Sequence, residues 1–262
     1  GQLLEEKMSY WEKQLANVER LDLPTDLARP TTPSTRGDVC GITISPELLE
    51  RVNALAQREG LTLFMFLLTT FKVLLHKYTG QEDICVGSPI ANRTEAELEP
   101  LVGFFVNSLA LRSAVTTDKS FQDLLNEVKS TTVEAYKHQE VPFEKIVERV
   151  EQNKDWRYSP IFQVMFALQN NETISEVQLD QLEIAAEEEH YHIAKFDLVC
   201  NTIEHEDGLD VVFTYCTDLF SPQTITRMTQ HFERLLQSIV ANPTQSIGSL
   251  SMIATAEQAE LL

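Results

Sequence analysis

The side chains best suited to proton transfer near neutral pH are the six histidines, because an unperturbed imidazole titrates there. Two of them stand together in His190-Tyr191-His192. In an extended strand that pair shares one face, and with Asp197 close behind a general base oriented by a carboxylate is one reading. The run Glu187-Glu188-Glu189 just ahead of the pair supports the other, a solvated strand edge. His76 and His231 lie in helical runs and read as helix-face residues, and His205 falls in a turn. His138 follows Tyr136-Lys137 at a helix end, where a cation complements the helix dipole and a structural role is favoured. Serine chemistry has less support, since Gly87-Ser88-Pro89 lacks the second glycine of a G-x-S-x-G elbow. Neither G-x-G-x-x-G nor G-x-x-x-x-G-K occurs, so nucleotide-phosphate loops have no support. On residue types and spacing alone, no catalytic centre is self-evident.

Charge narrows the partners. The 262 residues carry 21 Lys plus Arg against 40 Asp plus Glu, a net charge of −19. Binding nucleic acid or anionic lipid needs clustered cations, so neither is expected as a partner. A hydrophobic content of 43% supports a real core, and only 9 glycines and 10 prolines exclude a collagen-like or disordered composition. Cys40, Cys85, Cys200 and Cys216 stand singly in strand-like surroundings without a C-x-x-C pair, as expected of buried free thiols in a cytosolic protein rather than a zinc site. The longest apolar run, residues 63–68, is too short to span a bilayer, and the first residues lack the pattern of a signal peptide. A cytoplasmic, non-membrane protein is expected. The chain opens into a helical pattern without an initiator Met, as a piece cut from something longer would.

The elements that must position these residues follow from periodicity. Leu3, Leu4, Met8, Trp11, Leu15 and Val18 recur at helical spacing, and a stretch marked by Pro24, Pro30 and Pro33 follows over residues 21–38. Residues 39–45 read as a strand. Ser45-Pro46-Glu47 starts a helix that runs to Gly60, and the apolar stretch 61–79 predicts a buried helix stopped at Gly80. Residues 83–90 and 103–112 read as strands joined by a polar loop, and a long helix from Ser120 is broken at Pro142 before a short one over 143–150. Residues 161–169 predict another strand, and 196–203 with 209–215 a hairpin turned at residues 205–208. Ser221-Pro222 opens a last helix through about residue 240. This uneven interleaving predicts an α/β two-layer sandwich, with a mixed sheet covered by helices.

Three segments add a resemblance. Val102-Gly103-Phe104-Phe105-Val106-Asn107-Ser108-Leu109-Ala110-Leu111-Arg112 is similar to the motif I-G-x-F-V-N-T-x-x-x-R of nonribosomal peptide synthetase condensation domains. His138-Gln139-Glu140-Val141-Pro142-Phe143-Glu144 resembles that family's next motif, H-Q-D-x-P-F-E, in the expected order. Lys154-Asp155-Trp156-Arg157-Tyr158-Ser159-Pro160-Ile161 is a looser match to R-D-x-S-R-N-P-L, in which Asp155 and Pro160 survive and Tyr158 replaces the second arginine. The catalytic signature of the family, H-H-x-x-x-D-G, is absent from the chain.

The resemblance implies the C-terminal half of a pseudo-dimer whose halves each resemble chloramphenicol acetyltransferase, with an active-site tunnel between them. It divides the chain into an inter-lobe helix and extended connection (1–38), the lobe (39–242) and a linker toward an adenylation domain (243–262). The implied reaction joins aminoacyl or peptidyl thioesters carried on the phosphopantetheine arms of peptidyl carrier proteins, with no cofactor bound directly. The implied partners are the N-terminal lobe, the carrier proteins and the adenylation domain. Asn107, Ser108, Arg112 and Ser159 are expected near the tunnel, with Arg112 more an ion-pair or structural residue. Gly103, Phe105, His138, Gln139, Pro142, Phe143, Glu144, Asp155 and Pro160 are expected to shape the motifs, with Gln139 and Glu144 fixing the helix break by hydrogen bonds. Residues 168–220 are the candidate region for a segment crossing to the other lobe. A half standing alone should expose apolar surface, and a non-catalytic docking module for carrier or adenylation domains is the alternative.

Overall fold

Four hydroxyls start the helices that cover the sheet. Ser45, Thr62, Ser120 and Ser221 each accept a hydrogen bond from the backbone N–H three residues on, satisfying a donor that the first helical turn leaves open. The computed structural model describes residues 2–91, 106–151, 154–170 and 192–260. Its helices are α1 (Gln2–Gln14), α2 (Pro46–Arg58), α3 (Leu63–Thr79), α4 (Phe121–Lys137), α5 (Phe143–Val150), α6 (Pro222–Ala241) and α7 (Thr255–Glu260). The first is shorter than its periodicity predicts, because Asn17 turns into the left-handed region at φ 55°. Gly80 stops α3 in the same region, at φ 70°, where a residue without Cβ is unstrained.

The strands are β1 (Arg36–Ile44), β2 (Asp83–Ala91), β3 (Val106–Ala114), β4 (Val164–Asn170), β5 (His192–Ile193), β6 (Leu198–His205) and β7 (Gly208–Cys216), in the order β3-β2-β4-β6-β7-β1-β5. The pairs β2–β4 and β4–β6 are parallel and the others antiparallel, so the sheet is mixed, as expected. His205 pairs with Gly208, which leaves a two-residue hairpin turn. Two strand boundaries differ from the sequence reading. The strand expected over 103–112 is seen from Val106, and Gly103 and Phe105 lie outside the described residues, as does His190. The strand expected from residue 161 begins at Val164. Ile161 sits at φ 67° and the Phe162 N–H bonds the Pro160 carbonyl at 2.8 Å, a γ-turn that a β-branched residue adopts only under strain.

One face of the sheet is covered by α2, α3, α4 and α6 over a core that includes Phe66, Phe71, Phe166, Phe213 and Phe232. Buried within it is Lys72, whose amine lies 2.7 Å from both the Leu111 carbonyl and the Ser113 hydroxyl. The opposite face is divided. At the β3–β2 end, α1, α5 and the segment 155–163 pack against it. Across β4, β6, β7 and β1, no described element covers the face that alternation and register assign to Ala167, Val199 and Ile203, Val212, and Val39. Among the described residues no single helix is long and apolar enough to cross a membrane.

The γ-turn at Ile161 delivers Phe162 onto β2. Phe162 is 1% exposed, 5.0 Å from the Phe143 ring and 5.8 Å from the Phe196 ring. A Cβ on Gly87 would lie 2.2 Å from that ring. Gly87→Ala should therefore overpack the site and lower stability by about 2 kcal/mol in denaturant unfolding. The double variant with Phe162→Leu should lose less than the sum of the two single changes. Additive losses would show that ring and glycine are not in conflict.

Candidate functional site

The three motif segments, separated in sequence, converge around Asn107 and Phe162. Asn107 on β3 is 8% exposed. Its Nδ2 donates to the Gln139 and Val141 carbonyls, both at 2.9 Å, and its Oδ1 accepts from the Phe143 N–H at 3.0 Å. One side-chain amide thus holds both sides of the break between α4 and α5, where Pro142 supplies no donor. This corrects the expectation that Gln139 and Glu144 fix the break: among the described residues their side chains make no hydrogen bond, and the Gln139 backbone carbonyl is an acceptor instead. His138 caps α4, with its Nδ1 2.8 Å from the Glu134 carbonyl and its ring stacked on Tyr10 at 3.9 Å. The Trp11 indole donates to the His138 carbonyl at 3.0 Å, so α1 is fastened to the same corner.

Arg112 is engaged in an ion pair. Its guanidinium forks onto the Asp83 carboxylate at 2.8 and 2.9 Å and donates to the Gln14 and Ala16 carbonyls at the end of α1. Hydrogen bonding to Asp83 raises its pKa further. Ser108, half-buried, lies opposite Pro89.

The segment 154–161 forms the wall between two clefts. The larger, of about 520 Å³, lies between the end of α1, the end of α5 and this segment, with Glu12, Arg20, Arg149, Glu151, Asp155 and Ser159 on its sides. The smaller, of about 130 Å³, is lined by Arg29, Trp156, Ser159, Lys195 and Asp197 among others. Tyr158 and Ser159 border both. Hydrogen bonds from the Arg157 side chain, then from its backbone, pull the Asp155 pKa down to about 2. Burial pushes the Glu151 carboxyl above its usual range. Pro160 precedes the strained Ile161, and the Ser159 carbonyl accepts from the Gln163 amide at 2.9 Å.

Cations from the extended connection complete this wall. Arg20 and Arg29 lie over the Tyr158 ring at 3.8 and 4.1 Å from its centroid, a distance at which guanidinium and ring attract. Arg29 also forks onto Asp197 at 2.5 and 3.0 Å and donates to the Arg157 carbonyl at 3.2 Å. Asp197 is therefore engaged, and His192, paired with Gly37 at the sheet edge, does not acquire the orienting carboxylate that its sequence position suggested. Nothing in the spacing of residues 21–38 points to Arg29, whose partner is 168 residues away.

The Arg29–Asp197 pair is mostly shielded, its side chains 17% and 13% exposed. Arg29→Ala leaves a carboxylate without its partner and should cost about 2 kcal/mol in denaturant unfolding, below the cost of breaking a fully buried pair because some solvent reaches this one. Arg29→Lys should recover little, since an ammonium cannot fork onto a carboxylate. A loss below about 0.5 kcal/mol for Arg29→Ala would mean that solvent already screens the pair.

A protein-family profile for "Condensation domain" matches residues 1–262. Among curated proteins, the chain is 44% identical to a linear gramicidin synthase protein of Brevibacillus parabrevis, over 100% of the chain and 5% of that protein. It is 39% identical to Gramicidin S synthase 2 of Brevibacillus brevis, over 99% of the chain and 6% of that protein. The chain thus spans about one-twentieth of the length of these relatives. Among solved structures, a holo four-domain nonribosomal peptide synthetase bound to AMP and glycine aligns with 97% of the chain and 20% of its own at TM-score 0.86 and 24% identity. The first condensation domain of the CDA synthetase aligns with 97% of the chain and 54% of its own at TM-score 0.72 and 18% identity. At these identities the likeness is one of fold, the chloramphenicol-acetyltransferase-like arrangement of a mixed sheet and helices.

Proposed function

Because the chain belongs to the condensation-domain family of nonribosomal peptide synthetases, we propose that it is the C-terminal half of such a domain. In this reading the complete domain joins aminoacyl or peptidyl thioesters held on the phosphopantetheine arms of carrier proteins. The observation that carries the proposal is one of extent. The chain aligns over nearly its whole length with little more than half of a solved condensation domain. The order of its motifs and the absence of H-H-x-x-x-D-G favour the second half.

The reaction is attack by the α-amine of one substrate on the thioester carbonyl of the other. A C–N bond forms, the C–S bond breaks, and the proton lost by the amine balances the thiol released. Amide formation from a thioester is downhill, so the domain's main task is to hold two tethered substrates in line and stabilise charge in transit. The sheet face that no described element covers and the clefts beside Ser159 are this half's share of the tunnel wall. Asn107 and Arg112 act as positioning residues, because their polar atoms are engaged in holding the α4–α5 corner and α1. Ser108 and Ser159 are the smaller polar groups beside that frame. The partners are the N-terminal half, peptidyl carrier proteins and an adenylation domain.

The test is condensation with loaded carrier proteins. The chain alone should form no amide above background, whereas the chain joined to the segment encoded upstream of Gly1 should form the peptide bond. Amide formation by the chain alone, or an upstream segment without H-H-x-x-x-D-G, would overturn the reading.

A further inference from the structure

The segment after α6 is attached to the domain in two different ways. Residues 243–250 are built in: Ile247 and Leu250 are buried, and the Ile247 and Gly248 N–H groups bond the Lys119 and Thr117 carbonyls at 2.8 and 2.9 Å. Ser251 adds a bond from its N–H to the Ser238 hydroxyl at 3.2 Å. Beyond it, among the described residues, every polar contact between the tail and the body of the domain passes through Glu257. The helix α7 that carries Glu257 has no buried side chain of its own among those described.

The receiving surface lies on α6. Arg227, His231 and Arg234 recur at helical spacing on one face, and all three reach the Glu257 carboxylate. His231 Nε2 is 3.1 Å from both oxygens, Arg234 is at 3.5 Å and Arg227 at 3.9 Å. Behind the imidazole, the Tyr78 hydroxyl of α3 is 2.7 Å from His231 Nδ1. Burial keeps that phenol protonated well above its usual pKa. An ionised carboxylate only accepts, so Nε2 is the ring nitrogen that donates to Glu257, and in the neutral imidazole Nδ1 then accepts from the Tyr78 hydroxyl. His231 is only 4% exposed, so the ring is held by its surroundings before the tail arrives.

From this geometry we propose that Arg227, His231 and Arg234 form a carboxylate-binding notch whose built-in ligand is Glu257, so that one side chain seats the tail and sets the direction in which it leaves the domain. The seat does not depend on which half of a condensation domain this is. It also makes the tail detachable, because breaking one contact set frees α7 while residues 243–250 stay in the core.

Backbone amide exchange of the full chain tests the proposal. Glu257→Gln keeps size but removes the charge, and should speed exchange over residues 254–260 roughly five- to tenfold while leaving α6 unchanged. Tyr78→Phe, which removes the group orienting His231, should give a smaller increase in the same residues. Glu260→Gln, on the same helix without these contacts, should match the wild type. The proposal fails if Glu257→Gln exchanges like the wild type, or if Glu260→Gln loosens the tail equally.

Discussion

Asn107→Asp should be less stable than Asn107→Ala at neutral pH and should regain stability as the solution is acidified. Asn107 donates to two carbonyls and accepts from one N–H. Alanine removes all three bonds and leaves two acceptors and a donor unmatched in a largely buried corner. At about 1 kcal/mol or more for each, the loss is about 3 kcal/mol, or roughly 6–12 °C in melting temperature for a chain of this size. Aspartate is nearly isosteric but has only acceptors when ionised. It still receives the Phe143 N–H, yet its second oxygen faces the Gln139 and Val141 carbonyls without a proton between them. The folded state must therefore favour the protonated acid and raise its pKa above the usual ~3.9. A group raised in this way contributes stability below its unfolded pKa and loses it as pH rises through the folded value. Denaturant unfolding of both variants between pH 4 and 8 decides the matter. A pH-independent difference would mean that the corner rearranges to avoid the carboxylate.

The second large effect should come from Lys72. Burial lowers the pKa of this amine to about 7. Its two partners both accept from it, the Leu111 carbonyl and the Ser113 hydroxyl oxygen, and among the described residues no carboxylate bonds it to offset the burial. In the unfolded chain the amine titrates near 10.4, so between pH 7 and that value the unfolded state binds more protons. Stability must then rise with pH, by up to about 1.4 kcal/mol per unit from this group alone. The other groups that bear on the window include Cys85, which lies close enough to Lys72 to couple with it, and Cys200. Burial pushes the Cys85 thiol up to about 12 and raises Cys200 as well. Their contribution has the opposite sign and is lost as pH climbs past ~8.5. Wild-type stability should therefore rise from pH 7 to about 8.5 and then flatten or fall. Lys72→Met should abolish the rise and leave the later fall. An unchanged slope in Lys72→Met would assign it to other groups.

Several elements are readable before any fold is known, and they share a physical cause. Ser45, Ser120 and Ser221 start helices because a hydroxyl reaches an N–H three residues away. Pro142 separates α4 from α5 because it lacks the N–H that would continue the ladder. The turn before Gly208 is short because the two flanking runs alternate in phase. Each of these signals acts within a few residues, so order along the chain is enough to carry it. The motif segments are legible for the same reason, as strings whose neighbours are fixed.

Tertiary structure decided everything that depends on partners far apart in sequence. Sequence suggested a carboxylate for His192, and the fold gave Asp197 to Arg29. Sequence offered Gln139 and Glu144 for the helix break, and the fold used Asn107, more than thirty residues away. The γ-turn at Ile161 is strained in isolation and persists because Phe162 fills the space above Gly87. Which helices face which side of the sheet depends on strand order, which no single segment carries. By itself the sequence determined the elements, the charge and the family resemblance, all local or additive properties. Which polar groups meet was decided only in three dimensions, because a hydrogen bond depends on distance and angle between atoms, and spacing along the chain carries neither once the segments lie on different elements.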